Sequence, residues 1–208
     1  MVDKTTYNKL GIIRLYLSNY LGQHHVREIA RLTKKSHVTL LPHLNDLEKG
    51  KILSAKKMGK NKVYSLNLDN ILAKNYLIIS ELVEAINCLE QNFIIKKIAA
   101  EISKAGLTGA VILFGSYAKR TFKADSDIDI FYLGSIKEPD ILKIKGIGRT
   151  YGKTISIKIS TLNNFEQGLR KKDALAMEIV KYHLILNNPD LFINILWRHY
   201  YGIREQRP

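Results

Sequence analysis

Two aspartates separated by one residue carry the clearest chemistry in the sequence. Asp127 and Asp129 flank Ile128 in Ser126-Asp127-Ile128-Asp129-Ile130-Phe131, a run whose alternation predicts a strand. Positions i and i+2 of a strand share a face, so the two carboxylates stand side by side. Carboxylates so placed repel one another unless a divalent cation neutralises them, and they are hard oxygen ligands of the kind Mg²⁺ takes together with substrate phosphates. Eleven residues before Asp127 comes Ser116, in the Gly115-Ser116 pair that ends the apolar run Ala110-Val111-Ile112-Leu113-Phe114. Glycine lets backbone amides approach a phosphate, and the serine hydroxyl donates to an oxygen of the same group. A phosphate cradle facing a metal-binding carboxylate pair is what nucleotidyl transfer requires.

Elements of mixed type must hold these residues. Beyond Thr108 the pattern predicts strands at 110–114, 128–133 and 154–159, a helix at 138–145, and a largely helical tail to Tyr201 broken near Asn187-Asn188-Pro189. Lys145-Gly146-Ile147-Gly148-Arg149 lacks the spacing of a dinucleotide loop and reads as a turn before the third strand. This is a mixed α/β domain over 106–208.

The passage Phe114-Gly115-Ser116-Tyr117-Ala118-Lys119-Arg120 … Ser126-Asp127-Ile128-Asp129 resembles the DNA polymerase β-like nucleotidyltransferase superfamily, and within it the minimal nucleotidyltransferases of archaea and bacteria. Phe114, Gly115, Ser116, Ala118, Ser126, Asp127 and Asp129 match that pattern; Lys119 takes an arginine's place and Arg120 stands where glycine is usual. Over residues 108–195 the resemblance implies catalytic, metal-holding Asp127 and Asp129, and a nucleotide-binding set of Gly115, Ser116, Lys119 and Ser126. The cofactor it implies is Mg²⁺ (or Mn²⁺), with a nucleoside triphosphate as substrate or ligand. The family usually adds a third acidic residue on a following strand, often as the base for the incoming hydroxyl. Here that strand, Thr154-Ile155-Ser156-Ile157-Lys158-Ile159-Ser160, offers Ser156 and Lys158 and no carboxylate. Two aspartates could suffice, Glu166, Asp173 or Glu178 could complete the site, or a lysine near the pair could leave binding without turnover. Relatives of this look are often antitoxins that modify a partner toxin, so a protein acceptor is among the expectations.

Charge directs attention to the other end. The chain of 208 residues has a net charge of +14 and a pI near 9.7, which favours a polyanionic partner. Of this surplus, +8 lies in residues 1–70. Helices are predicted at 5–20 (Leu10, Ile13, Leu17 and Leu21 on one stripe), 25–34 and 36–48, the last capped by Ser36, with Gly50 as a left-handed stop. A basic hairpin follows: strand 51–57, turn 58–61, strand 62–67. Three helices and a basic hairpin resemble a winged helix-turn-helix DNA-binding domain over residues 5–68. The resemblance implies double-stranded DNA as partner, with Lys56, Lys57, Lys60 and Lys62 on phosphates and Lys35, Ser36, His37, Thr39 and His43 for base readout.

Residues 70–104 read as one long amphipathic helix, so the expected organisation is α+β: a winged helix at 1–69, a linker helix at 70–105 and a nucleotidyltransferase domain at 106–208. The linker's apolar face needs burial against the next domain, a second copy of the chain or some of both, so a homodimer is among the expectations. The lone Cys88 excludes an internal disulfide and reads as a core residue, His183 as packed or capped, and Trp197, Tyr200 and Tyr201 as packing or interface residues. No apolar run is long enough for a membrane span and the first residues show no signal peptide, so a cytoplasmic setting is expected. The leading expectation is an enzyme that transfers NMP, with AMP the first choice, to an acceptor hydroxyl. The alternative is a DNA-binding transcriptional regulator whose second domain binds nucleotide without turning it over. An RNA-directed terminal transferase ranks third, because no dedicated RNA-binding module is visible.

Overall fold

The computed structural model describes residues 3–206, which divide into two compact units. One contains the residues up to Ser80 and those from Tyr200 onward; the other is Glu81–His199.

The first unit opens with α1 (Lys4–Ile13), a 3₁₀ turn (Arg14–Tyr16), β1 (Gln23–His25), α2 (Val26–Thr33) and α3 (His37–Lys49). The hairpin β2 (Leu53–Met58) and β3 (Asn61–Leu66) follows, and the antiparallel sheet runs β1-β3-β2. Side chains cap all three helices: Asp3 Oδ1 accepts from Thr6 N–H at 2.7 Å, His25 Nδ1 from Glu28 N–H at 3.1 Å and Ser36 Oγ from Thr39 N–H at 3.1 Å. Ile12, Ile13, Tyr16, Ile29, Leu40, Leu44, Leu47 and Tyr64 form the buried centre, where Tyr16 donates its hydroxyl to the Tyr64 carbonyl at 3.0 Å.

Two expectations are corrected here. The first helix stops at Ile13 instead of reaching residue 20: the chain tightens to 3₁₀ bonding, with Leu17 N–H on the Arg14 carbonyl at 3.2 Å, and Asn19 then closes a turn, its carbonyl accepting from Gly22 N–H and its side chain from Leu21 N–H. The helical spacing persisted because the tightened chain still delivers Tyr16, Leu17 and Tyr20 to the same core. Gly50 (φ −74°) is not the left-handed stop of α3; Lys51 (φ 53°) is, with Ile52 N–H bonded to the Leu47 carbonyl at 2.9 Å.

The single linker helix is also corrected. There are two helices, α4 (Ile71–Gln91) and α5 (Phe93–Lys104), separated at Asn92. Asn92 has extended geometry (φ −131°, ψ 98°), and its Oδ1 accepts from Ile95 N–H at 3.1 Å, so a polar residue capable of capping ends one helix and starts the next. Ile95, Ile98 and Ile102 of α5 lie in the core of the second unit.

That unit continues with β4 (Ala110–Phe114), α6 (Gly115–Ala118), β5 (Ile128–Leu133), α7 (Glu138–Thr150) and β6 (Ile155–Ser160). It goes on through α8 (Leu162–Lys171), α9 (Ala174–Lys181), β7 (Leu184–Asn187) and α10 (Pro189–Glu205), of which the residues from Tyr200 onward belong to the first unit. The sheet order is β6-β5-β4-β7; β4 is antiparallel to both neighbours and β5 is parallel to β6, with α7 as the crossover. On one face Val111, Leu113, Ile128, Ile130 and Tyr132 pack with α5 and with Ile144 of α7. The opposite face carries Asp129 and Phe131, and rings pass from Phe131 to Phe165, Phe192 and His183 at centroid separations of 5.3, 5.8 and 5.1 Å.

Residues 145–149 are the last turns of α7, not a turn before β6. Gly148 permits this: a Cβ there would stand 2.5 Å from the Lys153 carbonyl and 2.6 Å from Ile155 Cγ1, so the helix closes directly on the strand. The tail read as helical contains the strand β7, a short apolar run whose period does not separate strand from buried helix. Among the described residues no helix is long and apolar enough to cross a membrane.

Candidate active site

Sheet register assembles the site at one end of the central strands. Phe114 of β4 pairs with Asp129 of β5, so the turn after β4 opens beside that carboxylate. Gly115 is left-handed (φ 66°), and a Cβ on it would meet Asp129 Oδ2 at 2.3 Å. Glycine is therefore required twice over, for its dihedral and for the carboxylate lying against its Cα. Asp127 is exposed and Asp129 half-buried. Burial, then the charges of Asp127 and Glu178, push the Asp129 carboxyl above its usual range, while Lys158 and Lys119 oppose the shift.

Lys119 ends α6, and its Nζ lies 2.5 Å from Glu178 Oε1 and 5.4 Å from the Tyr182 ring centroid. The bond to Glu178 raises the lysine pKa. Ser116 is half-buried, with its carbonyl accepting from Thr121 N–H at 3.0 Å. Ser126 shapes the loop before the aspartates: its Oγ accepts from Lys123 N–H at 2.8 Å, and Lys153 Nζ reaches the carbonyls of Ala124 and Ser126. Arg120, at the usual glycine position, adopts the left-handed conformation itself (φ 58°), with its guanidinium 3.5 Å from Glu84 Oε2.

The third carboxylate is absent from β6, where Ser156 is the partner of Asp129 and Lys158 the partner of Phe131. Of the helix carboxylates, Glu166 is engaged by Arg198 and lies 3.9 Å from Arg170, and Asp173 caps α9 through bonds from Leu175 and Ala176 N–H. Glu178 alone of the three is tied to the site, through Lys119. Among the described residues no three His, Cys, Asp or Glu side chains come together as a metal cage. Two hard oxygen donors completed by substrate phosphates suit Mg²⁺, which keeps few protein ligands, so the donor set fits a metal that arrives with nucleotide.

One group of polar residues escaped the sequence reading. Asn164, Gln167 and Lys171 of α8 line a cleft of about 400 Å³ with Phe131 and Lys158. Their spacing of three and four residues, the period of one helix face, is the signal that could have found them.

The DNA-contact candidates are dispersed on the first unit. Lys56, Lys57 and Lys60 are exposed on the hairpin, whereas Lys62 is 2.5 Å from Glu48 Oε2 and lies over the Tyr64 ring. His37 and Thr39 are exposed at the start of α3, and Ser36 is committed to its cap. Lys35 and His43 turn to α1: Lys35 Nζ donates to Asn8 Oδ1, and Asn8 Nδ2 donates to His43 Nε2 at 2.9 Å. Burial lowers the His43 pKa.

Residues 96–189, a little under half of the chain, match the family described as Polymerase beta, Nucleotidyltransferase. That match supports the nucleotidyltransferase superfamily for the segment it covers. A solved structure described as "Crystal structure of the toxin-antitoxin with AMP-PNP" is 16% identical, with 54% of this chain and 90% of that chain covered. Its TM-score is 0.35. No curated protein matches.

Proposed function

We propose that the second unit transfers the NMP group of a nucleoside triphosphate, AMP being the first choice, to an acceptor hydroxyl. The observation that carries this reading is the Asp129 carboxylate lying against the left-handed Gly115. It brings a carboxylate pair and a glycine-serine turn within one ligand's length of each other. Asp127 and Asp129 would hold Mg²⁺ or Mn²⁺, which supplies charge neutralisation at the reacting phosphate. Gly115 and Ser116 offer a backbone amide and a hydroxyl to the β- and γ-phosphates, and Lys119 offers its ammonium. The first unit binds double-stranded DNA, a reading supported by three helices followed by a hairpin whose Lys56, Lys57 and Lys60 are exposed. A twofold-symmetric operator would need a homodimer, for which the exposed Leu82 and Ile86 of α4 offer apolar surface.

The test is incubation with α-³²P-labelled NTPs and Mg²⁺, with tRNA, a host lysate or the protein itself as acceptor. Label should move with wild type and not with Asp127→Asn; transfer retained by that variant would sink the assignment. A second reading is favoured by Ser156 standing opposite Asp129: a DNA-binding regulator that holds nucleotide without turnover. It predicts nucleotide binding in a titration, no transfer to any acceptor, and duplex binding that falls steeply with salt.

A further inference from the structure

The sheet order gives the reacting centre two distinct sides. Asp129 stands on β5, with β4 and the Gly115-Ser116 turn on one flank and β6 on the other. If the β- and γ-phosphates occupy the turn, pyrophosphate departs on the β4 flank. An in-line displacement then needs its nucleophile on the opposite flank, toward β6. The cleft of about 400 Å³ lies there, on the face that carries Asp129, with Phe131 and Phe165 in its lining. That volume is within the range of small-molecule sites.

The cleft's chemistry is cationic and rich in amides. Lys158 and Lys171 supply ammonium groups, and Asn164 and Gln167 supply donors and acceptors. The one carboxylate in the lining, Asp173, already accepts two backbone N–H bonds as the cap of α9. Lys158 is the strand partner of Phe131, two residues along β5 from Asp129 and on the same face, so the cleft begins one same-face position from the carboxylate pair.

Resting on the proposed nucleotidyl transfer, we infer that this cleft is the acceptor subsite and that the acceptor is a phosphate-bearing nucleotide. Its phosphate lies on Lys158 and Lys171, its base edge meets Asn164 and Gln167, and its hydroxyl points toward Asp129. The acceptor oxygen forms a bond to the α-phosphorus as the bond from that phosphorus to the bridging oxygen breaks. Pyrophosphate leaves with that electron pair, and the hydroxyl proton passes to solvent. A free mononucleotide and the 3′ end of a strand present the same group, and the experiment separates them.

Transfer from α-³²P-ATP with Mg²⁺ is measured to AMP, to a 5′-phosphorylated oligoribonucleotide with a free 3′ hydroxyl, and to denatured protein. Wild type is compared with Lys158→Ala/Lys171→Ala and with Lys158→Arg. The double variant should raise the acceptor KM at least tenfold and leave the ATP KM within about twofold, and Lys158→Arg should restore most of the loss. A free-nucleotide acceptor labels AMP and a strand acceptor labels the oligonucleotide. Labelling of protein alone, or an acceptor KM unmoved by the double variant, overturns the inference. Binding of AMP without Mg²⁺ is titrated in parallel, to wild type, to Asp127→Asn/Asp129→Asn and to the lysine variant. If nothing transfers label, the proposed activity fails. The cleft then stands only if AMP binds wild type and the aspartate variant alike and is lost from the lysine variant; absence of AMP binding to wild type overturns it.

Discussion

The second unit contains two acidic sites that obey opposite electrostatic rules. Asp127, just before β5, and Asp129, its second residue, set like charges together, the first exposed and the second half-buried. Glu81 and His183 sit with side-chain exposures of 2% and 4% and pair with each other. The imidazole Nδ1 lies 2.9 Å from the Ile179 carbonyl and 3.1 Å from that of Val180, so Nδ1 carries a hydrogen, and Nε2 faces Glu81 Oε1 at 2.8 Å. A buried pair of hydrogen-bonded partners fixes structure, and a more exposed pair of like charges is a candidate for ligand binding. Titratable groups alone would not separate the two; burial and partner sign do.

Breaking the buried pair should have the largest effect on stability. Glu81→Ala removes one partner of an enclosed pair and should cost about 3–5 kcal/mol in a denaturant titration. Asp127→Asn, at the exposed site, should leave the same midpoint nearly unchanged while label transfer is lost. A cost below about 1 kcal/mol for Glu81→Ala would break the comparison.

Gly115→Ala probes the candidate site by geometry. Its Cβ would be left-handed and 2.3 Å from Asp129 Oδ2, so Asp129 must move. A displacement near 1 Å at a reacting centre is enough for about a hundredfold loss of rate. Transfer kinetics should show that loss with a stability change of only about 1–2 kcal/mol, the cost of a left-handed alanine.

The same contrast explains what was legible in the sequence. Strands β4 and β5 and the Gly115, Ser116, Asp127 and Asp129 set could be read because short-range spacing encodes them: a period of two and a glycine-serine pair after an apolar run. Glu81 and His183 lie 102 residues apart, so their pairing is a tertiary fact without local signature. Asn92 shows the intermediate case, since its capping bond to Ile95 N–H overrides an apolar period that runs on through it. The cleft residues on α8 had a helical period, but their meeting with Lys158 depended on the β5–β6 register.

The buried pair also sets a pH dependence. Burial opposes the charge on His183, but Glu81 and the two carbonyls outweigh it and raise the pKa above the ordinary value. A raised folded-state pKa means that the pair's stabilisation is complete below the unfolded histidine pKa of about 6.5 and is lost as pH rises through the folded value. Thermal melts should fall on the order of a few degrees across that window, and His183→Gln should flatten the curve. A wild-type profile no steeper than that of the variant would remove the pair as its cause.

The smallest effect tests the strain beside the candidate site. Arg120 holds a left-handed conformation at φ 58°, which costs a residue with a Cβ roughly 1–2 kcal/mol. Glycine there relieves that cost but loses about 0.5–1 kcal/mol more chain entropy on folding. It also gives up the partly exposed contact with Glu84, worth about 0–1 kcal/mol. Arg120→Gly should therefore move stability by no more than about 1 kcal/mol in either direction. Arg120→Ala keeps the strain and loses the contact, so it should be the least stable of the three. The order of glycine over alanine, measured by urea midpoints, isolates the dihedral from the ion pair. An alanine variant as stable as the glycine variant would show that the turn closing α6 is unstrained, and would leave Gly115 as the left-handed position of this segment at which geometry matters.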